Sequence, residues 1–133
     1  MPTPFGARRY FDLGLKCDEA DLADNDVVIS GVTVPFAGTV AEVWVGCSVL
    51  PTTGTLAVAK LAGATATNLL SATTVNLASD LVAGVGEACT LSVPVALRIA
   101  AGNMLRATWT LSDITVTDDA VFTCIVGVDP DGW

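Results

Sequence analysis

From residue 27 onward the chain is a succession of short runs in which apolar and polar side chains alternate. The runs are 27–34, 39–50, 54–61, 66–77, 88–99, 103–111 and 119–128, separated by turn-forming stretches such as PFAG, PTTG, AAGN and LSDITVTD. A period of two sends successive side chains to opposite faces of a strand, so each run predicts a strand with one face on a core. No stretch carries the period of an amphipathic helix, and a helical turn is expected only over residues 78–84. A parallel sheet would have no crossover helices to connect it. The pattern therefore predicts an all-β chain, an antiparallel β-sandwich or jelly-roll-like single domain over residues 27–133.

Two stretches add detail. VALRIAAGNMLRATWTL predicts a hairpin: Val95, Leu97 and Ile99 face inward, Ala101-Gly102-Asn103 turns, and Leu105, Ala107, Trp109 and Leu111 face inward again, with Arg98 and Arg106 outside. In VPFAGTVAEVWVGC, residues 34–47, Ala41, Val43, Val45 and Cys47 share one face, while Val40, Glu42 and Trp44 share the other. The last run, AVFTCIVGV, is apolar on both faces, with Val121 and Ile125 opposite Phe122 and Cys124. A sandwich has one inner face per sheet, so Val40, Glu42, Trp44, Val121 and Ile125 are expected at a subunit interface, covered by a neighbouring copy.

Composition supports that expectation. The chain has 133 residues, 52% of them hydrophobic and only 15% charged. Its mean hydropathy is +0.62. A small domain that carries more apolar surface than it can fold inward is expected to bury the excess against a partner. A membrane is not the expected partner, because the longest uncharged run, residues 61–79, is threaded with Thr, Ser and Asn. Nor does the N-terminus follow its Arg pair with the apolar block of an export signal, so synthesis in the cytoplasm is expected.

Charge narrows the partners further. The net charge is −8, with six basic against fourteen acidic residues. Without a basic surface there is no counterion release to drive binding to phosphate backbones, so no nucleic acid is expected. Arg8, Arg9 and Lys16 are half of the six basic residues and lie in the first sixteen positions, ahead of an acidic stretch at 17–26. Residues 1–26 lack sustained alternation and are expected to form an extended N-terminal arm and acidic linker. In that arm Phe5, Tyr10 and Phe11 flank Arg8 and Arg9, residue types that favour interface anchors.

The chemistry of catalysis is thin. There is no His, so general acid–base work would fall to carboxylates or Lys, and no pair of them is singled out by spacing. Cys17, Cys47, Cys89 and Cys124 form no CxxC, and three of them sit in strand-like runs, so reduced, buried thiols are expected and no metal or cofactor. The acidic loops have oxygens that suit calcium but no EF-hand spacing, and are expected to be solvated. No enzymatic activity is expected.

The stretches Ala37-Gly38-Thr39-Val40, Thr55 to Lys60 and Ala100-Ala101-Gly102-Asn103-Met104-Leu105 resemble recurring elements of small β-sandwich virion proteins of tailed bacteriophages. The resemblance spans residues 27–128, with Asn103 where Asp is commoner, a change that keeps the turn chemistry. It implies a capsid decoration, or cement, protein on the outer surface of the virion, a homotrimer bound to the major capsid protein. It also implies that the matching arm, Pro2 to Phe11, pairs with the shell. A glycan- or receptor-binding module of a tail fibre is the alternative, and a sandwich hydrolase a third.

Overall fold

The computed structural model describes residues 7–17, 26–51, 53–112 and 120–131. Strands β1 (Arg9–Asp12), β2 (Leu15–Cys17), β4 (Gly38–Cys47), β8 (Glu87–Ala88), β9 (Arg98–Ile99) and β11 (Ala120–Pro130) build one sheet, here sheet A. Strands β3 (Asp26–Thr33), β5 (Thr53–Ala62), β6 (Thr65–Asn68), β7 (Val75–Asn76) and β10 (Met104–Ser112) build sheet B. Every pairing is antiparallel: β1-β11-β4-β8 in sheet A, with β2 also on β11 and β9 also on β4, and β3-β10-β5-β6 in sheet B, with β7 also on β5. The expected antiparallel sandwich is what the chain forms. Among the described residues, no helix is long and apolar enough to cross a membrane.

The core lies between the sheets and follows the alternation. Leu105, Ala107, Trp109 and Leu111 of β10 are fully buried, and they face Val43, Val45, Phe122 and Cys124 of sheet A. The Trp109 and Phe122 rings meet across the sandwich at 5.7 Å, tilted by 58°. Trp109 is therefore a core residue, as the period of two requires.

Other expectations are corrected. The hairpin over residues 95–111 does not form: β9 pairs with β4 in sheet A, while β10 pairs with β3 and β5 in sheet B. The turn at Ala100–Asn103 carries the chain from one sheet to the other, with Gly102 at φ +92°, where a side chain would be strained. Val95 is 78% exposed rather than inward, because Pro94–Leu97 is a 3-10 turn. Proline at its start lacks the N–H that a ladder strand needs. That turn, not residues 78–84, is the helical element among the described residues. The run 66–77 is also broken, into β6 and β7, around a bend where Asn68 Nδ2 donates to the Ala72 carbonyl at 2.9 Å.

The sandwich starts earlier than residue 27. Arg9–Asp12 and Leu15–Cys17 both pair with β11, so part of the expected arm is an edge of sheet A. Between these strands the Leu13 N–H donates to the Cys124 carbonyl at 2.8 Å, and Leu13 is fully buried. Gly14 follows because its backbone passes the neighbouring strand closely; a Cβ there would sit 2.4 Å from the Phe122 carbonyl oxygen.

Candidate functional site: the outer face of sheet A

On the side of sheet A away from the core, cross-strand register sets side chains in rows. Tyr10 lies beside Gly127, and Gly127 beside Glu42. In the next row Asp12 meets Ile125, Ile125 meets Trp44, and Trp44 meets Ala88. Trp44 is 42% exposed and Val121 40%. A row of an indole and a branched aliphatic side chain on a solvent-side sheet face is a place where another surface can bury area. Glu42, Trp44, Val121 and Ile125 are thus brought to one face, as expected.

Val40 is not among them; it is 1% exposed, inside the core. The cause is a β-bulge. Gly127 pairs with Glu42 but Val128 pairs with Val40, so Ala41 has no partner on β11. One extra residue reverses the phase of the alternation, and Val40 turns inward with Val43 and Val45.

The expected arm residues divide in three. Phe5 lies outside the described residues. Phe11 turns inward, half-buried, with its ring 6.1 Å from that of Phe36. Arg8, Arg9 and Tyr10 are exposed, but Arg8 is already engaged within the chain. Its Nε and Nη2 donate to the two carboxylate oxygens of Asp129 at 2.7 and 3.2 Å, and its Nη1 lies 3.0 Å from Glu42. The hydrogen bond to Asp129 raises the guanidinium pKa further above its ordinary value. A hydrogen bond to Glu42, then loss of solvent, raises that of Tyr10. The group ties β1 to β4 and the end of β11, while Arg9 is exposed.

Beside the edge strands β7 and β8 lies a cavity of about 240 Å3 bordered by Leu70, Asp80, Glu87 and Cys89. Ligand pockets are commonly larger, about 300–1,000 Å3. Burial, and then the charges of Glu87 and Asp80, raise the Cys89 pKa, which keeps it a thiol and a poor nucleophile. Cys47, Cys89 and Cys124 are unbridged. Among the described residues no three His, Cys, Asp or Glu side chains are grouped to hold a metal ion.

No family model and no curated protein matches the sequence. Among solved structures, a chain in the structure of infectious bursal disease virus, Gx strain, is similar over 95% of this chain, with a TM-score of 0.37 and 13% identity. This chain spans 33% of that one.

Proposed function

We propose that this chain is a structural virion protein without enzymatic activity, a decoration or cement protein that binds the outer surface of a phage head. It assembles as a homotrimer through the outer face of sheet A and attaches to the major capsid protein. The observation that carries the reading is the Ile125–Trp44 row, an apolar strip on a face that the fold itself leaves uncovered. The resemblance of residues 27–128 to phage virion sandwiches supports the same role.

The mechanism is mechanical. Packaged DNA presses outward on a thin shell, and a trimer that bridges neighbouring coat subunits shares the load. Three linked contacts raise effective concentration, so each contact can be weak. An acidic exterior discourages adhesion to free DNA.

Light scattering on the purified chain, followed by imaging of heads with and without it, tests the reading. Trimers that coat heads and raise their resistance to heat are expected. A chain that stays monomeric at high concentration and never associates with heads would refute it. The tail-fibre reading draws on Tyr10 and Trp44, two exposed aromatics on one face beside Glu42. It requires hits on a glycan array that quench Trp44 fluorescence.

A further inference from the structure

Sheet B leaves its outer face open as well. Register places Ile29, Thr108 and Ala57 in one row, and Gly31, Arg106 and Ala59 in the next. Small side chains keep the middle of this face flat, and at its margin Val27 and Ile29 are 58% and 63% exposed. Among the described residues of the face, Arg106 is the one charged side chain. It is half-buried, no carboxylate among the described residues meets it, and its Nε is buried without an acceptor. Arg8 and Arg98, by contrast, each hold a carboxylate in two-point contact. A guanidinium nitrogen buried on this face without an acceptor carries a desolvation cost that an incoming carboxylate would offset.

A second copy is a poor occupant. A two-fold axis through the middle of the face would set Arg106 against the same residue of its mate. Stacking on the outer face of sheet A would bring Glu42 and Asp12, but Glu42 already holds Arg8 at 3.0 Å and Asp12 accepts the Gly14 N–H at 2.8 Å. Stacking opposite faces of a sandwich also repeats without closing, which gives filaments rather than a trimer.

We propose that the outer face of sheet B is the surface that docks on the shell, onto an apolar patch of the coat protein that presents a carboxylate to Arg106. The proposal rests on the virion role given above. It divides the labour between the faces: sheet A for copies of the chain, sheet B for the shell.

The test is co-sedimentation of the full chain with heads of the virus that encodes it, stripped of this protein, alongside sedimentation velocity and melting of the free protein. Arg106→Glu and Ile29→Asp are each expected to weaken head binding at least tenfold, with oligomeric state and melting temperature unchanged. Arg106→Lys, which keeps the charge but loses the fork, is expected to fall between. If Arg106→Glu melts early, Arg106→Gln takes its place. Wild-type binding by these variants would overturn the inference, and so would loss of the oligomer in place of head binding. Failure of the wild type itself to bind heads would instead remove the virion role, and this inference with it.

Discussion

The indole N–H of Trp109, in the middle of sheet B, donates to the carbonyl oxygen of Leu13, at the edge of sheet A, over 3.2 Å. Both residues are fully buried. The bond stitches the N-terminal edge across the core and satisfies a carbonyl that leaves its ladder between β1 and β2. Trp109→Phe keeps an aromatic ring against Phe122 but orphans that carbonyl. A loss of about 1–3 kcal/mol is expected, the cost of a buried acceptor without a donor. Urea unfolding reads it as a lower midpoint at unchanged slope; an unmoved midpoint would show that the bond contributes nothing net.

The bulge at Ala41 separates two valines that the alternation alone would put together. Val40→Ala opens a hole in the core and is expected to lower folding stability by roughly 1–3 kcal/mol. Val121→Ala removes a side chain that is 40% exposed and is expected to leave folding within about 0.5 kcal/mol of wild type. Equal effects in denaturant titrations would contradict the register on β11.

These two residues also show how far a sequence carries. Alternation is legible wherever a strand is long and regular, as in β10, where it puts Trp109 in the core. It cannot report an inserted residue, since a bulge leaves no mark in the order of apolar and polar types. β1 is four residues long and only one side chain is turned well inward, so no period could be read from it. The hairpin failed for a different reason: local sequence specifies the turn at Ala100–Asn103 but not which sheet each arm joins. Arg106 was legible as an outward charge, and its want of an anion shows only once the neighbouring strands are in place.

Truncation distinguishes an arm from a strand. Removing residues 1–7 spares every β1 pairing, and the melting temperature is expected to stay where it is. Removing residues 1–12 uncovers β11 from Ile125 to Val128 and strips Phe11 from Phe36. A fall of at least about 3 °C is expected, the equivalent of one kcal/mol in a domain of this size. Differential scanning calorimetry of the two shortened chains decides; equal melting would mean that β1 docks without contributing.

Trp44→Ala tests the outer face of sheet A. If the Ile125–Trp44 row is the centre of the subunit contact, the substitution is expected to weaken association by about 2 kcal/mol or more, with folding spared. Sedimentation equilibrium measures the first and thermal melting the second. An unchanged dissociation constant would remove the row from the interface.

The buried thiols are expected to make stability fall in alkali. Loss of solvent pushes Cys47 and Cys124 up to about 12 from an ordinary 9.0. The folded state therefore keeps protons that the unfolded chain releases, so their contribution is complete below pH 9 and is lost as pH rises toward 12. Melting temperature is expected to fall across that window, and more shallowly in a Cys47→Ala, Cys124→Ala double variant, whose overall stability is lower for lack of packing. A thiol reagent at pH 8 should label both residues only as fast as the chain unfolds, because each is a neutral thiol sealed between the sheets. Rapid labelling of the folded protein, or equal slopes for the two proteins above pH 9, would show that these thiols are not held neutral by burial.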